Sequence, residues 1–263
     1  MADFGYFSQK IGDTIDRVLC DTFAKREQKL PTGRFVSLCF DDFPKSAVEL
    51  AAPMLEARGW RATWYVAGGL KGTLDPLYGQ MFDDSDLERL MRNGHDFGCH
   101  TFDHIDCRDA TPELIEAQCM KNMEFLAKRG ITDVASFAYP FGSVNLASKR
   151  VLEPAEMALR GVKPGLNQGT IDLNMLKACG LQTNNGGIAR AMEDLETLKR
   201  RDGWQIIFTH DIGPSPSPWG TTQSDYSQLL DAVEASNVEV VTVGDMLKRL
   251  QQSASMPSQA AAA

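Results

Sequence analysis

No apolar run in this 263-residue chain approaches the ~20 residues that a helix needs to cross a bilayer, so no membrane span is expected. The opening MADFGYFSQKIGDTIDRVL lacks the basic start, apolar stretch and small-residue cleavage site of a secretory signal. Cysteine is sparse and scattered. Cys20, Cys39, Cys99, Cys107, Cys119 and Cys179 form no CxxC pair and mostly sit in apolar surroundings, as reduced core thiols do. These features together predict a cytoplasmic protein. An excess of positive charge is also missing: 27 Lys and Arg face 35 Asp and Glu, a net charge of −8. Nucleic acid and anionic membrane surfaces want a basic patch, so neither is expected as a partner. A neutral or cationic small molecule or an oligosaccharide is the expected substrate class. No GxGxxG or Walker loop follows a predicted strand, which leaves nucleotide binding without support.

What remains is an ordinary globular composition, 43% hydrophobic and 24% charged, with a regular alternation of strand and helix patterns. Residues 5–28 read as an amphipathic helix, part of an N-terminal extension over 1–30. A main domain over 31–250 follows, and the segment 251–263 is expected to be a disordered tail. Within the main domain, RFVSLCF, RATWYVA, HDFGC, DVASFAYP, a segment near Met157 to Val162, WQIIFTH and VEVVTV read as strands. Between them lie helical patterns, among them one opened by Asp84 or Ser85 and one with Thr111 as N-cap. GLNQGTIDLNMLKACGLQ is ambiguous and reads as a loop, a helical turn and a short strand. About seven strands alternating with helices imply a parallel α/β sheet, closed as a (β/α) barrel or open and doubly wound. Active residues then belong at the carboxyl ends of strands.

Such an end carries two adjacent carboxylates, Asp41 and Asp42, in VSLCFDDFPKS. One Asp there needs only a turn to explain it. Two repel each other and call for a cation. The chain has four histidines, and His100 and His104 follow directly on the third strand in NGHDFGCHTFDHIDC. Asp42, His100 and His104 make a sound donor set for one divalent metal, zinc first, with cobalt or manganese as alternatives. His95 opens the same strand behind the site and reads as structural. His210 ends the apolar run WQIIFTH at the same face and is the candidate general acid. In SFAYPFGS, Pro140 forces an extended Tyr139 and Gly142 frees the backbone, so the Phe141 N–H is a candidate oxyanion donor.

These motifs resemble those of the NodB-homology polysaccharide deacetylases, carbohydrate esterase family four. Cys39-Phe40-Asp41-Asp42 is similar to the family's Thr-Phe-Asp-Asp. His100-Thr101-Phe102-Asp103-His104 matches its His-Ser/Thr-x-x-His in full. Ala138-Tyr139-Pro140-Phe141-Gly142 matches Arg-x-Pro-x-Gly in part, and Phe208-Thr209-His210 resembles Leu-x-His. The resemblance implies a distorted (β/α) barrel of the NodB type and a hydrolase that removes an N-acetyl group. It implies Asp41 as general base, Asp42, His100 and His104 as metal ligands, the Phe141 N–H at the oxyanion and His210 as acid.

Two departures stand out. The family's third-motif Arg is Ala138 here, and its Asp-x-x-Asp-Trp is absent. Arg160 and Asp172 are the candidates to replace the missing cation and carboxylate, and Trp219, in GPSPSPWGTT, is a candidate sugar platform. Three other readings stand beside deacetylation. One is a non-haem iron oxygenase, which shares the two-His, one-carboxylate set. The second is hydrolysis of another amide, a formyl group or a cyclic ureide. The third is a carbohydrate binder without catalysis.

Overall fold

The computed structural model describes residues 15–16 and 18–255. Its centre is the strand RFVSLCFD, here β1 (Arg34–Asp41). Successive side chains of a strand point to opposite faces, and β1 splits accordingly. Val36, Leu38 and Phe40 pack outward beneath helices. Phe35 and Cys39 pack inward, where they meet Tyr65, Ala138, Ala158, Trp204 and Phe208 from neighbouring strands.

The other strands of the main sheet are β2 (Thr63–Val66), β3 (Asp96–Cys99), β4 (Ser136–Ala138), β5 (Ala158–Arg160), β6 (Cys179–Gly180), β7 (Gly203–Thr209) and β8 (Glu239–Val240). Their order is β6-β7-β1-β2-β3-β4-β5, and β8 pairs with β1 at Phe35 and Val36. Every pairing is parallel. A parallel bridge from Arg160 to Leu176 links β5 to the segment that enters β6, so the sheet curls into a distorted barrel. This is the architecture expected from the alternating pattern.

The crossovers supply α1 (Ala52–Glu56, entered through a π-helical turn at Ala47–Ala51), α2 (Asp84–Arg92), α3 (Pro112–Ala127), α4 (Leu146–Leu152), α5 (Gly187–Leu198), α6 (Gln223–Glu234) and α7 (Val243–Ser255). Thr111 caps α3, accepting from the Leu114 N–H, with Pro112 in the first turn. The cap of α2 is Asp83 rather than Asp84 or Ser85. Its carboxylate accepts the Ser85 and Asp86 N–H groups, and Asp86 accepts the Asp83 N–H in return. Under the helices, Phe40 stacks on Trp64 at 4.2 Å, and Phe43 meets Trp64 edge-on at 5.2 Å. Such pairs add about 1 kcal/mol each beyond the area they bury.

The N-terminal helix ends earlier than the periodicity over 5–28 suggests. Residues 5–14 and 17 of that span lie outside the described residues. Residues 18–22 are helical, Ala24 turns to φ 52, and Glu27–Lys29 pairs antiparallel with Thr170–Asp172. The helix stops where Lys149, from α4, reaches it. The buried ammonium donates to the carbonyls of Cys20 (2.7 Å) and Phe23 (3.0 Å) and to Asp172 Oδ2 (2.7 Å). A cation on the last carbonyls satisfies groups that another helical turn would have used. The ambiguous stretch holds the strand Thr170–Asp172 and β6. At the other end, α7 runs on to Ser255, so the first five residues of the segment 251–263 read as a disordered tail are helical, and 256–263 lie outside the described residues. Among the described residues no helix is long and apolar enough to cross a membrane.

Candidate metal centre and active site

The alternation that builds the barrel also aims the site. Counting in twos from the inward residues, Cys39 leads to Asp41, Gly98 to His100, Ala158 to Arg160 and Phe208 to His210. All four lie at carboxyl ends of parallel strands. By the same count Asp42 should face away. It does not, because its backbone takes the left-handed conformation (φ 57), which turns its carboxylate to the same mouth. Among the described residues eight non-glycine residues have positive φ, and five of them are Asp42, Phe43, Thr101, His104 and Phe141. Backbone strain is thus concentrated at this mouth, as it is at functional sites.

Asp42, His100 and His104 offer ligand atoms that all lie within 4.8 Å of one another. His100 Nδ1 is 2.7 Å from the Ala138 carbonyl. A carbonyl only accepts, so Nδ1 carries the proton and the Nε2 lone pair points the other way. Nε2 lies 3.7 Å from Asp42 Oδ1, and Nε2 of His104 lies 3.3 Å from the same oxygen. That oxygen is buried and makes no hydrogen bond. Burial, then the neighbouring imidazole of His104, pulls the His100 pKa down to about 3. Burial, then His210, brings His104 to about 4. Both rings are therefore neutral near pH 7. Burial and the charge of Asp41 push the Asp42 carboxyl far above the usual carboxylate range. Three ligand atoms converge on one point there, and a divalent cation at that point would displace the Asp42 proton and stabilise the carboxylate.

Asp41 is held differently. Burial would raise its pKa, but Arg160, together with His100 and His210, outweighs burial and holds it below the ordinary value. Arg160 is itself buried. Its Nη2 donates to Asp41 Oδ2 at 2.5 Å and its Nη1 to the Gly161 carbonyl at 3.1 Å. The guanidinium lies 4.9 Å from the Tyr65 ring centroid and 4.6 Å from that of Phe208. The other Asp41 oxygen, Oδ1, is buried without a hydrogen bond. The two adjacent carboxylates are thus kept in different states by different neighbours.

On the far rim, His210 Nδ1 is 3.3 Å from the Trp219 carbonyl. The loop carrying Trp219 is fixed by Asp211, whose carboxylate accepts from the Ser217 N–H (2.7 Å) and hydroxyl (2.6 Å). Gly220 is required there, since a Cβ would come within 2.2 Å of Asp211 Oδ1. Burial lowers the His210 pKa below its ordinary value. Phe141 is 69% exposed, and its ring meets His104 edge-on at 4.4 Å. Gly142, read from sequence as room for a ligand, is needed for its φ of 63 and for Val162, whose methyl would lie 2.2 Å from a Cβ.

A family model described as polysaccharide deacetylase matches residues 28–159, half of the chain. The chain belongs to the polysaccharide deacetylase family. No curated protein sequence matches it. Among solved structures it is similar to the chitin deacetylase of the fungal pathogen Colletotrichum lindemuthianum (TM-score 0.60, 17% identity, 83% of this chain and 89% of that one). It is also similar to a family 4 acetyl xylan esterase from Clostridium thermocellum in complex with a cobalt ion (TM-score 0.59, 17% identity, 82% and 91%). A third neighbour is a CE4 family pseudoenzyme from Bacillus anthracis (TM-score 0.58, 13% identity, 82% and 66%). At these identities the likeness is one of fold.

In this polysaccharide deacetylase fold, Asp41, Asp42, His100, His104, Arg160 and His210 come together at one mouth, with Phe141 at its rim. Asp172 does not join them. Its oxygens serve Lys149 and the Arg26 and Asn174 N–H groups, so it orders the N-terminal segment instead of orienting His210. His95 lies at the opposite end of β3, accepting from the Ala62 N–H at Nδ1 and facing Glu56 at Nε2. Sequence reasoning missed Tyr78, whose ring stacks on His210 at 5.5 Å and 4°. Its signal was faint: one Tyr in the turn LDPLYGQ between two strands too short to show a period.

Proposed function

We propose that the protein is a metal-dependent amide hydrolase that removes an N-acetyl group from an N-acetylated sugar, oligosaccharide or polysaccharide. The observation that carries this reading is the pairing of two differently held carboxylates. Asp42 Oδ1 faces the Nε2 atoms of two imidazoles, while Asp41 is held ionised by Arg160 with one oxygen free. Asp42, His100 and His104 would hold the cation, with zinc the proposed ion and cobalt or manganese suited to the same donors. When bound, the ion supplies a water of lowered pKa and polarises the acyl oxygen.

The chain's own groups divide the remaining work. Asp41 Oδ1 takes the proton from the attacking water as it adds to the acetyl carbonyl. The Phe141 N–H faces the developing oxyanion, a donor type worth about 3 kcal/mol. His210, held at Nδ1 by the Trp219 carbonyl, acts in its imidazolium form, in which Nε2 also carries a proton, and gives that proton to the departing amine, without which an amine leaves poorly. Arg160 keeps Asp41 charged and aimed. A catalytically silent carbohydrate binder is favoured by Ala138, and the Arg160–Asp41 contact weighs against it.

The test is acetate release from a panel of N-acetylated and O-acetylated glycans, each with zinc, cobalt or manganese added. Acetate from an N-acetylated glycan is expected. Formate from N-formyl substrates, or binding with no turnover on any amide, contradicts the proposal.

A further inference from the structure

We propose that Tyr78 is a positioning residue that fixes the plane of the His210 imidazole. This rests on the reading of His210 as the acid. Among the described residues the hydrogen-bond partner of the ring is one backbone carbonyl, that of Trp219, at 3.3 Å. A single bond of that length leaves the imidazole free to swing about its side-chain axis. The Tyr78 ring, nearly parallel at 4° and 5.5 Å, removes that freedom, and Phe208 meets the imidazole edge-on at 6.1 Å.

The segment that carries Tyr78 is built to hold it. Leu74–Asp75 and Gly79–Gln80 form a short antiparallel hairpin. Asp75 Oδ1 accepts the Leu77 and Tyr78 N–H groups at 2.7 and 3.0 Å, which closes the turn. Just beyond the hairpin, Met81 bridges to Pro44, two residues after Asp42, and Phe82 stacks on Phe43 at 4.4 Å. The hairpin is therefore anchored to the strand end that supplies Asp41 and Asp42. Its tyrosine reaches across to the strand end that supplies His210. The stack sets the separation between base and acid across the mouth. A ring swung out of plane would still be present but would deliver its proton at the wrong angle.

The experiment compares Tyr78→Phe, Tyr78→Leu and Tyr78→Ala with wild type, all zinc-loaded. Four histidines make the imidazole region of the NMR spectrum sparse, and His210→Asn assigns the resonance. Tyr78→Phe is expected to keep both the ring-current shift of His210 and kcat. Tyr78→Leu and Tyr78→Ala are expected to lose the shift and lower kcat about tenfold or more, with KM and zinc content unchanged. A wild-type His210 resonance in Tyr78→Ala overturns the proposal, as does a Tyr78→Phe enzyme as impaired as Tyr78→Ala, or a change in KM alone. If His210→Asn keeps full activity, the fault lies with the assignment of the acid, and the resonance comparison still decides whether Tyr78 fixes the ring.

Discussion

Arg160 Nη2 lies 2.5 Å from Asp41 Oδ2, and Arg160 is paired in register with Ala138 on the neighbouring strand. The cation missing from the third motif thus enters from one strand further round the barrel and reaches the carboxylate expected to be the base. The two stacked rings and the Gly161 carbonyl that hold the guanidinium leave it little freedom.

Replacing that side chain tests its role. Arg160→Ala is expected to lower turnover about a hundredfold while zinc content stays at the wild-type level. The variant also leaves a buried carboxylate without its partner, so a loss of about 3 kcal/mol in unfolding free energy should accompany it. Kinetics on the folded fraction, with metal analysis of the same sample, separate the effects. Unchanged turnover in a folded Arg160→Ala protein contradicts the role.

The extension should depend on one lysine. Lys149 makes three hydrogen bonds, two of them to carbonyls at the end of the first helix. Lys149→Met keeps the volume and removes the charge. It is expected to cost about 3 kcal/mol in urea unfolding and to leave kcat unchanged once folded. A stability equal to wild type would show that the first helix docks without it.

A pH effect should appear at the opposite end of the barrel. Asp96 accepts from the Thr63 hydroxyl (2.8 Å) and the Gly244 N–H (2.9 Å), and burial pushes its pKa up to about 6. A carboxyl whose folded pKa lies above its unfolded one destabilises the fold when ionised. The loss sets in as pH rises from about 4 to 6 and is complete above that. Asp96→Asn keeps an acceptor and cannot ionise. It is expected to match wild type near pH 4 and to exceed it by about 2 kcal/mol at pH 8, read from urea midpoints. Equal stability at pH 8 contradicts this.

Much of this was legible in the sequence because two periodicities carry it. The strand RFVSLCFD and the run WQIIFTH place Asp41 and His210 at strand ends by counting alone. The spacing of His100 and His104 marked a candidate pair of ligands, and the fold brings both beside Asp42. Three features were not legible. The left-handed turn at Asp42 that brings it beside Asp41 is a backbone choice no residue type dictates. The end of the first helix depends on Lys149, far away in sequence. Tyr78 reaches the site through a hairpin whose strands have two residues each, too few to declare a face. The reading of Asp172 as the replacement for the missing motif carboxylate failed because nearness in motif order says nothing about which lysine a carboxylate meets.

The central claim is that Asp42 holds a metal and Asp41 handles a proton. The most direct measurement is zinc stoichiometry and acetate release, side by side, for Asp41→Asn and Asp42→Asn. Asp41→Asn is expected to keep one zinc per chain and lose about a hundredfold or more in turnover. Asp42→Asn is expected to lose the zinc and the activity together. Loss of zinc from Asp41→Asn with retention in Asp42→Asn, or full turnover in either, contradicts the account.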